Sequence, residues 1–384
     1  MNIGIVTGEY PPMKGGVGDY TRNLALHLTT AGHKVQVITD QRCVSPSNND
    51  EHKIIANISK RWSWLDLWRI RSTTSELDVV CIQYQAAAYG SMSPPIHFLP
   101  CLTIPPTIIT FHDFEQPYLF PKAGNLRKHA IWQMARCSDG IITTNSEDYR
   151  ICTKALSTPR VVEIPIGSNI PYHSMDRLSN IDIRAQYGIG EDELIIGYFG
   201  LMNKSKGGKT LIQTLASLHS NDIPARLLLI GELTGSTDAT NAKYYSEVNK
   251  LAHDLGVAKH IVKTGYLNPL NTSAALLCCD LMVLPFIDGA SFRHGSLLAC
   301  LTHGCPTITT NPKSENKRLQ NETNIMLVPP NHPTSIVKTI KKLHENAMLR
   351  TNIGQAAMSL SRDFEWQNIA DQTTDFIDEV LMKH

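Results

Sequence analysis

A chain of 384 residues exceeds what one hydrophobic core usually serves, so about two domains are expected. Its 36 Lys and Arg against 35 Asp and Glu leave a formal charge of +1, which gives no electrostatic reason for a nucleic-acid partner. No run approaches the roughly 20 apolar residues of a membrane span, and the opening MNIGIVTG brings in glycine too early for a signal peptide.

From the first residue, short β-rich runs alternate with helical segments, the pattern of a parallel sheet covered on both faces. Strands are expected at 3–7, 34–39, 78–83, 107–110, 140–144 and 161–165. After the first strand comes the loop GEYPPMKGGVGDYTRN, where Gly15 and Gly16 would let backbone N–H groups approach an anionic ligand at the helix start. It is not the dinucleotide fingerprint, which follows its strand immediately, so Asp40 reads as a turn residue. The segment KRWSWLDLWRIRS, 60–72, mixes Trp62, Trp64 and Trp68 with basic residues. As an amphipathic helix it either packs on its own sheet or docks peripherally on a membrane surface. His112 and Asp113 in TFHD follow the end of a strand, where α/β sheets place ligands, although a histidine there can also simply cap the strand.

At 166–193 the composition turns polar and irregular, as in an interdomain connection. A second alternation follows, with strands at 194–199, 226–230, 261–264, 281–286, 307–309 and 325–328, and helices at 209–219, 241–255, 271–278, 296–302 and 335–344. Within it, LMVLPFIDGASFRHGSLLACLTHGCPTITT reads as strand, small-residue loop, helix and strand, so the N–H groups opening the helix at Ser296 form a candidate anion site. The last helix, 366–382, is expected to cross back to the first domain. Nine cysteines without framework spacing lie largely in apolar runs (Cys81 in VVCIQ, Cys278 and Cys279 in LLCCD) and read as reduced core thiols of a cytosolic protein. The 15 histidines form no ligand spacing, so no structural metal is expected.

In this order the motifs resemble those of the retaining glycosyltransferases of the GT-B fold, family four in the usual sequence classification. The marks are GEYPPMKGGVGDYTRNLALHLTTAGHKVQVIT, ITFHD, VVEIPIGSN, IIGYFGLMNKSKGGKTLIQTL, ARLLLIGE, VKTGYLN, and CDLMVLPF followed by LACLTHGCPTITT. The resemblance implies an α/β fold of two Rossmann-like domains facing across a cleft. An acceptor-binding domain would span 1–170, joined by 366–384, and a nucleotide-sugar-binding domain 171–365. It also implies transfer of a sugar from a nucleotide diphosphate sugar to an acceptor, with no cofactor and no metal. The leaving phosphate would itself take the acceptor proton, so that no carboxylate base is required.

Carried onto this chain, the donor site falls on Gly200, Lys206, Glu232, Tyr266, Leu267, Ser291, Phe292, Arg293, His294 and Gly295, with Gly15 and Gly16 from the first half. Lys206 and Arg293 would stabilise the leaving diphosphate. Asp19, His112 and Asp113 would position acceptor and sugar, His112 counting with Lys206 and Arg293 among the residues that carry catalysis. Three positions depart from the family pattern: its paired glutamates are Ser291 and Ala299, and its arginine after the glycine is Leu201. Lys204, Arg293 and His294 are candidate replacements, His294 adding partial positive charge near its ordinary pKa of about 6.5. The alternative is a catalytically silent relative that binds a nucleotide sugar or a protein partner. A phosphorylase on the same frame would need a pyridoxal-bearing lysine, for which no matching motif is found.

Overall fold

The computed structural model describes residues 1–384 except 14, 44–51, 61, 91–93, 115–123, 158–159, 175–182, 191 and 235–238, and omits the side chains of 124–127 and 239–240. The chain divides into two compact units, Met1–Asn169 with Glu365–His384, and Ile170–Phe364.

In the first unit, seven parallel strands run β1 (Asn2–Thr7), β2 (Lys34–Asp40), β3 (Lys53–Ile58), β4 (Val79–Tyr84), β5 (Thr107–Phe111), β6 (Gly140–Thr143) and β7 (Arg160–Glu163). Their spatial order is β3-β2-β1-β4-β5-β6-β7. Side chains alternate across a strand, and this sheet uses both faces. Ile3, Ile5, Val79, Cys81, Ile108 and Ile142 enter one buried cluster. Val6, Val80, Ile82, Ile109, Phe111 and Ile141 enter the other. Helices α1 (Gly16–Thr30), α2 (Trp64–Thr74), α3 (Gly124–Arg136) and α4 (Ser146–Ala155) flank the sheet, with a 3-10 segment at Pro94–Cys101.

The second unit carries β8 (Leu194–Phe199), β9 (Ala225–Ile230), β10 (Ile261–Lys263), β11 (Leu281–Leu284), β12 (Thr307–Thr310) and β13 (Met326–Val328), all parallel in the order β10-β9-β8-β11-β12-β13. Its helices are α5 (Gly208–His219), α6 (Ala239–Asp254), α7 (Pro269–Leu277), α8 (Gly295–Thr302), α9 (Pro333–Glu345) and α10 (Ala347–Ser361). Strand β11 stops at Leu284 rather than Phe286 because Pro285 has no N–H for the ladder. The last helix, α11 (Trp366–Leu381), belongs to the first unit, where Ile369, Ala370, Phe376, Ile377 and Val380 join the β1 face.

Three readings of the sequence change. Strand β3 and helix α10 were not expected. β3 has the half-exposed, polar-interrupted sequence KIIANI, and α10 buries little beyond Ile353, Gly354, Ala357 and Ser361, which leaves both without a strong apolar period. The polar stretch 166–193 contains a helical turn at 183–186, although its residues 175–182 and 191 lie outside those described. The nine cysteines are not all reduced. Seven are buried free thiols, but Cys101 and Cys137 form a disulfide with Cα atoms 5.4 Å apart, tying the Pro94–Cys101 segment to the end of α3. A separation of 36 residues gave no sign of that pairing, which only the fold supplies.

Candidate functional site

In each sheet the strand order reverses at one point, between β8 and β11 in the second unit and between β1 and β4 in the first. Loops leaving the strands on either side of such a reversal part from one another and open a crevice. Most of the predicted site residues stand on those loops.

In the second unit the two loops are locked together. Gly207 has φ +71°, and a Cβ there would lie 1.9 Å from the Pro285 carbonyl oxygen, so only glycine can follow Lys206. Ile287 N–H donates to the Ser205 carbonyl at 2.7 Å. The result sets the Lys206 ammonium 4.6 Å from the centre of the Phe286 ring, and the same ring packs against His294 at 3.9 Å. Part of Lys206 remains open to solvent, but its nitrogen sits where water is displaced. That desolvation pulls its pKa to about 8, with Asp288 opposing only in part.

His294 caps α8, and its Nδ1 is buried with no hydrogen-bond partner among the described residues. Burial first, then the charges of Lys206 and Arg293, push this imidazole down to about 2. It is therefore neutral at physiological pH, and the expectation that it adds partial positive charge is corrected. Its 3.9 Å approach to Asp288 Oδ2 is no ion pair in that state.

Gly200 stands beside the start of α8, since a Cβ on it would lie 3.5 Å from Ser296 Cβ. Gly295 opens the helix. Arg293 is exposed, and its backbone N–H donates to Ser291 Oγ at 3.3 Å. The Phe292 ring packs on Phe364 at 4.6 Å with the Arg318 guanidinium over both rings. Glu232 follows β9, and Tyr266 and Leu267 follow β10. Glu232 and Tyr266 are exposed, and Leu267 is half-buried. Of the departing positions, Leu201 is 44% exposed whereas Ala299 is fully buried.

The first unit holds an anion of its own. Glu9 Oε1 accepts from the N–H groups of Val17 and Gly18 at 3.0 and 3.2 Å, at the start of α1. A Cβ on Gly15 would lie 2.1 Å from Glu9 Oε1, so this glycine makes room for the carboxylate, while Gly16 faces open space. The anion cradle read at Gly15 and Gly16 is thus filled from within. Burial raises the Glu9 pKa, and the two N–H bonds offset part of that.

Past the ends of β4 and β5, His112 Nε2 meets Gln83 Oε1 at 3.0 Å, and the ring edge-packs with Tyr20 at 4.6 Å. With a carbonyl-type oxygen as partner, Nε2 carries the proton and Nδ1 is the acceptor. Burial lowers this histidine to about 3, so it too is neutral. Asp113 Oδ2 accepts from Gln85 Nε2 at 2.7 Å. Asp19 is exposed in the first turn of α1.

Glu9, Tyr20, Gln83 and Gln85 were not singled out from the sequence. Tyr20 OH and Gln83 Nε2 are buried without hydrogen-bond partners among the described residues, which marks them as polar groups in need of one. The one available signal was a glutamine inside the apolar run VVCIQY.

Comparison with known proteins divides the chain at the same place as its fold. The family model described as Glycosyltransferase Family 4 matches residues 14–169, and that described as Glycosyl transferases group 1 matches residues 179–359. The EpsD protein of Bacillus subtilis (strain 168) is 24% identical over 245 residues, which is 62% of this chain and 60% of that one. A GDP-mannose-dependent alpha-(1-6)-phosphatidylinositol monomannoside mannosyltransferase of Mycobacterium tuberculosis (strain CDC 1551 / Oshkosh) is 21% identical over 393 residues, covering 97% of each chain. Among solved structures, Anabaena Alr3699/HepE in complex with UDP and glucose superposes with a TM-score of 0.78 at 16% identity, over 99% of this chain and 100% of that one. Since the two family models take one unit each and leave only a short gap between them, the chain belongs to the glycosyltransferases of the GT-B fold.

Proposed function

We propose that this protein transfers a sugar from a nucleotide diphosphate sugar to an acceptor, with retention of the anomeric configuration and without a metal ion. The observation that carries the reading is Lys206, a partly desolvated cation fixed by Gly207 against the ring of Phe286 and next to the opening of α8. A desolvated ammonium gains more from a dianionic leaving group than a hydrated one does, and a helix N-terminus adds oriented N–H donors. Two similar proteins bear on the donor class: one is named as GDP-mannose-dependent and another is described with UDP and glucose bound.

The hard step is departure of the nucleoside diphosphate from the anomeric carbon, which places negative charge on phosphate. Lys206 and the N–H groups opening α8 would stabilise it there, Arg293 adding a guanidinium from the surface. His294, being neutral, would contribute a hydrogen bond rather than charge. In the first unit His112, Asp113 and Asp19 would position the acceptor. If the leaving phosphate takes the acceptor proton on the face it departs from, configuration is retained and no carboxylate base is needed.

The test is to incubate the protein with a panel of UDP and GDP sugars and follow release of nucleoside diphosphate by mass spectrometry, with and without excess chelator. Release that persists in chelator supports the reading. Release that requires added magnesium or manganese overturns the metal-free step, and saturable binding without release under any condition identifies a silent relative. The anomer of the product, read by NMR, decides retention.

A further inference from the structure

The nine cysteines fall into two chemical classes. Seven are buried free thiols, and burial pushes two of them, Cys81 and Cys300, up to about 12, so that almost none of either is thiolate near neutral pH. The other two, Cys101 and Cys137, are bonded to each other and reach the surface: Cys101 is exposed and Cys137 half-buried. Cysteine sulfur that a reagent can meet is therefore confined to this one pair.

The pair lies where a covalent tie has leverage. Cys101 ends the Pro94–Cys101 segment and Cys137 directly follows α3, so the bond spans 36 positions of sequence that include β5, His112 and Asp113. Ile96 and Leu99 of the segment share one buried cluster with Ile131 and Met134 of α3. From α3 the constraint passes inward. Its Trp132 packs edge-on against Phe114 at 4.8 Å, and Phe114 packs in the same way against Phe111 at 4.8 Å. His112 and Asp113 are the two residues between those phenylalanines, and Phe114 N–H donates to Asp148 Oδ2 at 3.3 Å. Fixing the end of α3 thus fixes a train of rings that ends at the backbone of His112.

The bond is also placed for exchange. A thiolate arriving from solvent meets Cys101 Sγ first, the more exposed of the two. As a new sulfur–sulfur bond forms there, the Cys101–Cys137 bond breaks and its electron pair leaves on Cys137 Sγ, where Gln133 Nε2 already donates at 3.2 Å. A donor on the departing sulfur stabilises the thiolate and so eases its departure. A second thiolate then attacks the incoming sulfur of the mixed disulfide and releases Cys101 as thiolate. In sum, one protein disulfide and two external thiols give two protein thiols and one external disulfide, and the reverse reaction reoxidises the pair.

We propose that Cys101–Cys137 is a reversible thiol–disulfide exchange site, whose partner is a dithiol or a small thiol–disulfide couple and whose state sets how rigidly the His112–Asp113 segment is held. That this segment positions an acceptor rests on the function proposed above. Exchange and rigidity do not rest on it, and both are measured without any substrate.

The test uses the purified full chain treated with oxidised glutathione, then held with or without dithiothreitol under native conditions. Peptide mass spectrometry should find Cys101 and Cys137 joined before reduction, and iodoacetamide should afterwards label them at least about tenfold faster than any of the seven buried cysteines. Hydrogen–deuterium exchange of residues 107–114 should quicken about threefold or more on reduction and return on reoxidation, while exchange in β8 and β9 stays the same. Cys101→Ser/Cys137→Ser should match the reduced wild type and no longer respond to dithiothreitol; should that variant fail to fold, the wild-type comparison decides alone. Absence of the joined peptides, reduction that needs denaturant, or a double variant that still responds to dithiothreitol overturns the proposal. So does exchange at 107–114 unchanged by reduction, which would make the bond a passive staple.

Discussion

The two units place a helix start at a strand-order reversal and then treat it in opposite ways. At α1 the N–H groups of Val17 and Gly18 are taken by the chain's own Glu9, whose carboxylate lies where a Cβ of Gly15 would be. At α8 the N-cap residue His294 makes no side-chain cap hydrogen bond, its Nδ1 has no partner among the described residues, and beside it stand the cation Lys206 and, 3.9 Å from His294 Nε2, the carboxylate of Asp288. The same backbone device is in one case a finished structural joint and in the other a helix start with no cap from its N-cap side chain and a lysine close by. Motif reading cannot separate the two, because glycines before a helix are compatible with both.

That contrast can be broken or sharpened by experiment. The largest effect is expected from Ala299→Glu, which restores the glutamate of the family pattern to a position that is here fully buried. An uncompensated carboxylate there should destabilise the fold by on the order of 3–5 kcal/mol, read as a lower urea midpoint. A stable variant with tighter nucleotide binding would show that α8 has open space beside it after all. Lys206→Ala should cost about 2–4 kcal/mol in the barrier to donor cleavage, comparable to the loss of one preorganised donor. Steady-state rates compared with Lys204→Ala decide whether the effect is specific to the lysine fixed by Gly207.

Smaller effects are expected at α1. Glu9→Ala strands two N–H groups and should lower stability by about 1–3 kcal/mol, with donor affinity unchanged. Glu9→Gln keeps an acceptor and should cost less. Because the folded-state pKa of Glu9 is raised, its contribution is present at low pH and lost as pH rises through the folded value; the glutamine variant should lack that slope in unfolding measured against pH. The smallest signal is protonic. Lys206 loses its charge as pH rises through about 8, while a bound diphosphate favours the ammonium. Donor affinity should therefore fall above that pH and binding there should take up a proton, seen by calorimetry in buffers of different ionisation enthalpy.

The sheets were legible because β8 (LIIGYF), β9 (ARLLLI) and most strands of the first unit are apolar runs between turn residues, a pattern that follows from burial on both faces. The Lys206–Gly207 pair was legible as a motif. The reason for its glycine, the Pro285 carbonyl in the way, belongs to a residue nearly eighty positions further on. Glu9, Gln83 and Tyr20 were illegible for the same reason, since each acquires its meaning from a partner that only the fold brings near. The outward tryptophans of α2 were noticed, but not their direction, because an aspartate in the first turn of a helix is normally read as lying on its wet side.

Helix α11 carries one more consequence. Its residues Ile369, Ala370, Phe376, Ile377 and Val380 fill one face of a sheet whose strands end two hundred residues earlier, and Trp366 Nε1 donates to the Ser168 carbonyl at 2.7 Å. On the ribosome, residues 170–364 are all available to fold before that helix emerges, whereas the first unit must wait with an uncovered apolar face through the whole of their synthesis. The unit translated first is thus the one completed last, and the interval between is when the nascent protein is most open to aggregation or to a chaperone.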